Sequence, residues 1–391
     1  MFLVRKILVV GCFIIFIFGT HSVYAQNELV PDKVSSMKAR VLSIEKEEMR
    51  EVPGTDAQTS FQTIKVEILD GSEKGRLVTI DNDYLNLKKG QVFYLTHTVS
   101  NLDDTDYYTV NDPYRLPQVL AIVGLFVLVV IIFGGKQGVR GLISLTGSFA
   151  LIFFVLLPGI MHGYSPLLVT VGVSSLIIIV GSYVTHGFNR TTTAAVIGMI
   201  STVSVTGLLA YWSVHFTQLT GFGSEEAVYL NLNARGSIDI LGLLLGGIII
   251  GLLGVLYDAA IGQSVAVDEL TKIAPHVSRQ KIFKRALRIG HEHIGALVNT
   301  LAIAYVGASL PLLLLFYKTS GASFAQLANT EIFSTEIVRI MIGSIGLVLA
   351  VPVTTFVSVL MLVKKSEHSV NLNQISEEHK ALEHAGHSHN H

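Results

Sequence analysis

The chain has 391 residues, of which 50% are hydrophobic and only 15% are charged, with a formal net charge of -1. Soluble domains are roughly one quarter charged, and disordered chains are poor in apolar residues, so this composition excludes a mostly disordered protein. The absence of a basic excess excludes a nucleic-acid-binding protein. The mean hydropathy of +0.55 indicates a polytopic membrane protein.

The start of the chain has the pattern of a secretory signal peptide over residues 1–25. A basic pair that includes Arg5 precedes a short apolar run, and the small residue Ala25 ends the segment, which predicts cleavage after that residue. The alternative is an uncleaved anchor, which the shortness of the apolar run disfavours. Because the only cysteine, Cys12, lies in this segment, a mature chain is expected to lack disulfides and zinc–thiolate sites.

Residues 26–115 are polar and have the periodicity of β-strands. Apolar and charged residues alternate over 64–68, which is the pattern of a half-buried strand. Apolar runs at 77–80 and 92–95 follow turn signals and predict further strands. The segment therefore predicts a small extracytoplasmic β-barrel or sandwich with one core. We expect it to serve as a rigid cap or partner-docking domain, with ligand binding as the alternative.

The rest of the chain alternates apolar stretches of spanning length with short polar loops. This pattern predicts a polytopic α-helical membrane domain with about seven transmembrane helices. The predicted spans cover residues 116–133, 141–158, 166–184, 194–213, 238–257, 292–316 and 336–363.

The basic residues of the loops predict the orientation. If the β domain lies outside, the loops that fall inside carry most of the lysines and arginines of this part of the chain: Lys136, Arg140, Arg190, Lys272, Arg279, Lys281, Lys284, Arg285, Arg288, Lys364 and Lys365. The loops that fall outside carry only Arg235, Lys318 and, at a span edge, Arg339. The positive-inside rule then places the C-terminus in the cytoplasm of the cell.

The fifth predicted span is rich in glycine at small-xxx-small spacing, the pattern that allows close helix packing in a bilayer. Its glycines are Gly242, Gly246, Gly247, Gly251 and Gly254. Two interpretations follow: a fixed packing face, or a sliding surface of a moving carrier.

Charged residues are expected only at span ends, with Asp239 and Glu336 at outer edges and Asp258 at the inner end of the fifth span. The apolar stretch 259–267 that follows Asp258 is too short to span the membrane, which is typical of a re-entrant or interfacial segment. Such segments build the binding sites of many secondary carriers.

A polar cavity that opens inward is predicted from this segment and the sixth span, where Asn299 lies roughly 10 to 15 Å below the inner surface. Its candidate substrate- or ion-binding residues are Asp258, Gln263, Glu269, Asn299, Thr300 and Tyr305. Asp258 would hold a cation or proton, and Gln263 and Asn299 would be neutral ligands. The alternative is structural: Asn299 bonds a neighbouring helix and Asp258 pairs with a loop arginine such as Arg285. Pro311 is expected to free a backbone carbonyl on the sixth span.

A basic cytoplasmic loop is predicted at 258–291, with an amphipathic helix over about 271–291 that lies against anionic lipid. The tail over 364–391 is polar, which predicts disorder. Its alternating histidines can chelate zinc, nickel or copper weakly, and the alternative is a solvated tail without a ligand. The four candidate metal ligands are His384, His387, His389 and His391.

Several motifs resemble the YibE/F-like family of bacterial multi-pass membrane proteins. The residues that carry the resemblance are Glu67–Gly71 with Lys89 and Gly90, Gly138–Leu142, His186 and Gly187 before Thr191, Gly254–Asp258 through Gln263 to Leu270, and Asn299–Leu301 through Ala304–Pro311. The family often has a second aspartate where this chain has Tyr257. The resemblance implies a multi-pass membrane fold of unassigned activity and a paired membrane protein of the same family as a partner.

Together these patterns favour a permease or permease subunit of the bacterial cytoplasmic membrane that moves a small solute or ion. The alternative is a non-transporting scaffold or signalling protein whose β domain docks a partner. The sequence contains no recognisable catalytic triad or phosphate-binding loop, so we expect neither enzyme activity nor a cofactor. The expected partners are the lipid bilayer, a paired family member or a second copy of the chain, and not nucleic acid.

Overall fold

The computed structural model describes residues 33–51, 54, 58–100, 105–318 and 323–364. The predicted signal peptide over 1–25 and the histidines of the tail lie outside these residues. The chain divides into two compact units, residues 1–126 and residues 127–391. The first contains a β domain, and the second contains a bundle of helices.

The β domain is a five-stranded antiparallel sheet with the strand order β3-β2-β1-β4-β5. The strands are β1 (Lys33–Glu51), β2 (Gln58–Ile68), β3 (Leu77–Asn82), β4 (Val92–Val99) and β5 (Asp106–Pro113). The strands predicted at 64–68, 77–80 and 92–95 are confirmed as parts of β2, β3 and β4. The sequence interpretation did not place β1, which pairs with both β2 and β4.

One face of this sheet forms the core of the β domain. Ile64, Val66 and Ile68 are fully buried, as their alternation with charged residues predicts. The sheet curls, because the Tyr108 hydroxyl of β5 donates a hydrogen bond to the Glu73 carboxylate between β2 and β3 at 2.7 Å. The described strands therefore form a single curled sheet, a half-barrel, rather than the two packed sheets of a sandwich.

The helical part begins directly after β5. Its helices are α1 (Leu116–Leu151), which continues through a π-helical turn (Ile152–Leu156) into α2 (Leu157–Met161), then α3 (Pro166–His186), α4 (Arg190–Phe216), α5 (Glu225–Asn233), α6 (Ile240–Ile273), α7 (Arg279–Ala308), α8 (Leu310–Lys318), α9 (Phe324–Ala328) and α10 (Glu331–Leu362).

Within the described residues, five helices are long and apolar enough to cross a membrane: Leu116–Met161, α3, α4, α6 and α10. The helices α3, α4, α6 and α10 coincide with the third, fourth, fifth and seventh predicted spans. The predicted spans 116–133 and 141–158 lie in one continuous helical stretch. The predicted span 292–316 is not among the five.

The stretch that holds the first two predicted spans is broken at Gly135, whose φ of 52° and ψ of -136° are not helical. A side chain at Gly138 would collide with the carbonyl oxygen of Val130, although eight residues of straight helix span about 12 Å. The chain therefore bends sharply here. Glycine is required because a positive φ is costly for other residues.

Contacts between helices establish their relative directions. Thr170 of α3 lies at Gly246 of α6, and Tyr257 of α6 lies at Gly181 of α3, so these two helices run parallel. Ser264 at the end of α6 donates a hydrogen bond to the Thr191 carbonyl at the start of α4, so α4 runs antiparallel to α6.

The same reasoning applies to α7, which meets Gly251 of α6 through Tyr305, late in its own length. Gly290, early in α7, lies beside Gln263, late in α6. The helix α7 therefore runs antiparallel to α6. Successive long helices from α3 onward alternate in direction, as the predicted topology requires.

Two expectations for this region are wrong. Residues 259–267 are not a separate re-entrant segment, because α6 continues as a regular helix to Ile273. The predicted loop over 258–291 is mostly helical, since α6 ends at Ile273 and α7 begins at Arg279. Pro311, which is predicted to free a backbone carbonyl on the sixth span, lies in the first turn of α8, after α7 has ended at Ala308.

The basic segment at the start of α7 is helical and amphipathic, as predicted. Its apolar side is occupied by protein, because Ile282 and Ala286 are fully buried in a cluster with Val267 of α6 and Val359 of α10. Lys281, Lys284, Arg285 and Arg288 point away from this cluster and are exposed. The part of the apolar face at Ile282 and Ala286 is therefore not available for lipid.

The helices α4 and α10 pack through two reciprocal glycine–threonine contacts. A methyl group at Gly198 of α4 would lie 2.6 Å from the Thr354 hydroxyl of α10. A methyl group at Gly346 of α10 would likewise collide with the Thr206 hydroxyl of α4. Glycine at these positions lets the two backbones approach closely, as in other membrane helix pairs.

Candidate functional site

A polar cavity of about 140 Å³ lies where α6 and α10 begin, and we call it the Arg339 cavity. It is covered by the segment between α4 and α5. Its lining residues are Gly221, Gly223, Ser224, Ala227, Ile240, Leu243, Leu244, Gly247, Thr335, Glu336 and Arg339. Since a water molecule occupies about 30 Å³ of liquid, the cavity has room for a few water molecules or one small solute.

An ion pair lies at the wall of the cavity. Arg339 Nη1 is 3.0 Å from Glu336 Oε1, and both side chains are largely buried, 30% and 20% exposed. The spacing of three residues places both groups on one face of α10. At about 1.5 Å per residue, Arg339 lies about 12 Å along the helix from Glu331. Ionisable groups at such depth in an apolar helix commonly mark functional sites.

The acid of this pair is fully engaged. While Glu336 Oε1 faces Arg339, Glu336 Oε2 accepts a hydrogen bond from the Ser309 hydroxyl at 3.2 Å. Ser309 lies in the break between α7 and α8, so the pair also joins α10 to that break. Both carboxylate oxygens therefore have donors.

Donor groups, by contrast, remain unused. Within the described part of the chain, Arg339 Nε and the hydroxyls of Thr335 and Tyr305 are buried and have no hydrogen-bond partner. A buried polar group left without a partner costs about 1–3 kcal/mol. Native structures retain such groups mainly where water, an ion or a ligand satisfies them. The site therefore has three buried groups that can still donate a hydrogen bond.

The segment that covers the cavity is held by Glu331, the first residue of α10. Its Oε1 accepts hydrogen bonds from the Thr220 N–H at 2.9 Å, the Thr220 hydroxyl at 2.6 Å and the Phe222 N–H at 3.1 Å. Gly223 then passes so close to α10 that a methyl group there would lie 2.7 Å from the Thr335 hydroxyl. One carboxylate therefore fixes the cover of the cavity.

The next helix is capped where it leaves this cover. The Ser224 hydroxyl accepts a hydrogen bond from the Ala227 N–H at 3.2 Å, which is an ordinary N-cap. Hydrogen bonds from its own backbone N–H and from Ser224 hold the pKa of Glu226 below its usual value. The capped turn gives the cavity a defined edge.

Tyr305 lies one helical turn deeper than the cavity. Its hydroxyl lies against Gly251, one turn beyond the cavity residue Gly247 on α6. Its ring is near Gly343, one turn beyond Arg339 on α10. Of the six binding residues predicted from the sequence, Tyr305 is the one beside this cavity.

The other predicted binding residues do not form one cluster. Gln263 is 4% exposed and its amide donates a hydrogen bond to the Ala286 carbonyl of α7 at 2.6 Å, so it joins two helices. Asp258 is exposed on a different side of α6. In the described structure Asp258 forms no ion pair with Arg285 or any other residue.

The three remaining predicted binding residues lie away from the cavity. The Thr300 hydroxyl donates a hydrogen bond to the Ala296 carbonyl of its own helix at 2.9 Å, and Asn299 is exposed beside it. Glu269 is exposed and lies 2.8 Å from Lys272, near the end of α6. The candidate ligands His384, His387, His389 and His391 lie outside the described residues. Within the described ranges, no group of three or more His, Cys, Asp or Glu is arranged to hold a metal ion.

Asp258 belongs to an exposed strip of α6 that begins at the cavity, and we call this strip the glycine face: Gly247, Gly251, Gly254, Asp258 and Gly262. Side chains at Gly247, Gly254 and Gly262 would meet no protein atom within 4 Å. Gly242 and Gly246, by contrast, pack closely against α3. The glycines of the fifth predicted span therefore divide into a packing side and an open side.

The sequence interpretation missed the role of Glu336, Arg339 and Thr335. It placed Glu336 and Arg339 at a span edge because it began the seventh span at residue 336, whereas α10 begins at Glu331. The available signal was the pairing of an acid and a base three residues apart within an apolar helix.

The apolar helices and the half-barrel define a helical membrane protein with an N-terminal β domain. The family model of the YibE/F-like protein matches residues 122–364, and the chain belongs to this family. The predicted resemblance is thus confirmed for the helical part, while the β-domain motifs around Asp70 and Gly90 lie outside the match. No curated protein and no solved structure matches the chain.

Proposed function

We propose that this protein is a permease, or the solute-carrying subunit of one, and not an enzyme. Its solute site is the Arg339 cavity, and its route follows the glycine face of α6 toward Asp258. The observation that carries the proposal is the buried Glu336–Arg339 pair beside donors that no described residue satisfies. Charge within an apolar helix is costly, so a pair retained there with spare donors favours solute handling.

The glycine face supplies the second half of the argument. From Gly247 at the cavity to Asp258 is about 16 Å at about 1.5 Å per residue. Gly254 leaves the face open between them, while the Tyr305 hydroxyl lies across it at Gly251. Between Gly247 and Asp258 the glycine face leaves space for a solute. Displacement of the Tyr305 hydroxyl from Gly251 would open or close this space.

The proposed placement follows from charge and helix direction. We propose seven crossings, with the bend at Gly135 dividing the first long helical stretch and α7 with α8 forming the sixth. The stretch from Leu116 to Met161 is 46 residues, whereas about 20 suffice for one crossing. In this arrangement the β domain and the Arg339 cavity lie outside a bacterial cytoplasmic membrane, and Asp258 lies near the inside.

Efflux from proteoliposomes tests the proposal. Liposomes that contain the purified full-length protein are loaded with a deproteinised extract of the host cells, and the solutes that leave are identified by mass spectrometry. We expect at least one solute to leave faster with the wild-type protein than with R339Q. The matched control R235Q changes an arginine outside the cavity and should behave like wild type. Equal efflux of every solute from wild-type and R339Q liposomes would contradict the proposal.

A further inference from the structure

We propose that the Arg339 cavity binds the oxygen edge of a small oxyanion, such as a carboxylate or a phosphate. This inference rests on the proposed function, since it names the chemical class of the solute at the same site. It follows from counting which hydrogen-bonding groups at the cavity are engaged and which are spare.

The acidic group is the engaged one. Glu336 has Arg339 on one carboxylate oxygen at 3.0 Å and the Ser309 hydroxyl on the other at 3.2 Å. Its charge is compensated by the guanidinium at the same place. A cation entering the cavity would therefore meet a carboxylate whose charge is already balanced by Arg339.

The basic group, by contrast, has capacity left. Arg339 Nη1 pairs with Glu336, while the Nε–H of Arg339 is buried and has no hydrogen-bond partner in the described chain. Guanidinium groups bind carboxylates and phosphates through two parallel N–H donors. The edge of Arg339 that includes Nε–H can therefore bind an anion while Nη1 stays paired with Glu336.

Thr335 adds a second donor on the same wall. It is 4% exposed, and its hydroxyl has no hydrogen-bond partner among the residues described. A hydroxyl can donate or accept, but beside a guanidinium and an anion it would donate. Arg339 and Thr335 are four residues apart on α10, so they occupy neighbouring positions on one helix face.

The volume limits the ligand to a small one. With about 140 Å³, the cavity holds a few heavy atoms once the cover is in place. The cover approaches within a distance that only glycine permits at Gly223. Acetate, glycine and inorganic phosphate fall within this size.

A zwitterion is the closest competing class, and Glu336 distinguishes the two. A zwitterion would place its ammonium on Glu336 and would lose affinity when that charge is removed. A simple oxyanion would keep or gain affinity, because removing Glu336 frees Arg339 Nη1 and removes a repulsive charge.

Equilibrium binding tests the inference without requiring transport. The full-length protein in phosphatidylcholine nanodiscs is titrated with acetate, inorganic phosphate, glycine and, as a cation, tetramethylammonium, by isothermal titration calorimetry. We expect acetate or phosphate to bind to the wild-type protein. R339K should weaken this binding about tenfold or more, because lysine lacks the planar fork of two donors. T335V should weaken it severalfold, and E336Q should preserve or tighten it. The matched control R235K should bind like wild type, and circular dichroism checks that each variant is folded.

Several outcomes would overturn the inference. These are binding of tetramethylammonium in preference to the anions, unchanged affinity in R339K, or loss of acetate and phosphate binding in folded E336Q. Binding of glycine that E336Q abolishes, with no binding of the anions, would assign a zwitterion instead. Anion binding without solute efflux would uphold this inference and contradict the permease, and Arg339-dependent efflux of a cation would do the reverse.

Discussion

The Arg339 cavity and the Asp258 end of the glycine face are two polar regions of the helical unit, and their charged groups differ in pairing and burial. In the cavity, Glu336 and Arg339 are paired, largely buried and covered by a fixed segment. Asp258 is exposed, has no ion-pair partner within the described structure and lies on an open strip of helix.

From this difference we infer separate roles: the cavity binds the solute, and the Asp258 end conducts it. A compensated pair tolerates a poorly hydrated site, so it can retain a ligand away from water. A single carboxylate requires contact with water or a cation, because an isolated buried charge is too costly. We therefore expect the cavity to determine affinity and the Asp258 end to determine the rate of passage.

Replacing Asp258 should give the largest effect of the three changes proposed here. In D258N we expect the efflux rate of the transported solute to fall at least about thirtyfold, a rise of about 2 kcal/mol in the limiting barrier. Equilibrium binding at the cavity should stay unchanged. The control E269Q alters an exposed acid that pairs with Lys272 at the helix end, and its efflux should match wild type. If D258N weakens binding as much as R339Q does, the two regions form one site.

Filling the open strip should give the next largest effect. A side chain at Gly254 meets no protein atom within 4 Å, so G254L should fold normally and gain helix propensity. We expect efflux to slow by about tenfold, or about 1.4 kcal/mol, because the leucine occupies the route. Thermal melting should show no loss of stability.

The matched control for this test is G147L, which places leucine at an equally open position on α1. Its efflux should equal that of the wild-type protein. Efflux from G254L at the wild-type rate would show that the solute does not follow the glycine face.

Loosening the cover should give the smallest of the three effects. E331A removes the carboxylate that holds Thr220 and Phe222 over the cavity. We expect ligand dissociation to accelerate by about threefold to fivefold, which is less than about 1 kcal/mol, because the cover loses hydrogen bonds that do not touch the ligand. Stopped-flow release measures this rate. E225A, at the exposed start of α5, should leave it unchanged, and a slower release in E331A would contradict the role of the cover.

The sequence predicted those features that follow from local periodicity. The alternation at residues 64–68 identified β2, and apolar length identified α3, α4 and α10 within a few residues. Apolar length also identified the start of α6, which continues past the predicted end at residue 257 to Ile273. The residues 259–267 were misinterpreted because an apolar run between acids has the same composition in a helix as in a re-entrant segment. The uninterrupted helix to Ile273 and the packing of Val267 against α7 and α10 distinguish the two.

The candidate site was harder to predict, because it depends on contacts between distant parts of the chain. Glu331 meets Thr220 across 111 residues of sequence, and Ser309 meets Glu336 across the break after α7. Residue type alone made Gln263 a plausible ligand, but its amide is used by the Ala286 carbonyl. Tyr305 was predicted as a binding residue of the sixth span, and that role stays a prediction, although its hydroxyl lies against Gly251 beside the cavity.

The reciprocal contacts of Gly198 with Thr354 and of Gly346 with Thr206 have a mechanical consequence. Each threonine fits a gap in the opposite helix, so sliding α4 along α10 by even one residue would break both contacts together. These two helices should behave as a stationary frame through a transport cycle. Any widening beside Tyr305 then has to come from displacement of α6 or α7, and α7 is interrupted at Ser309.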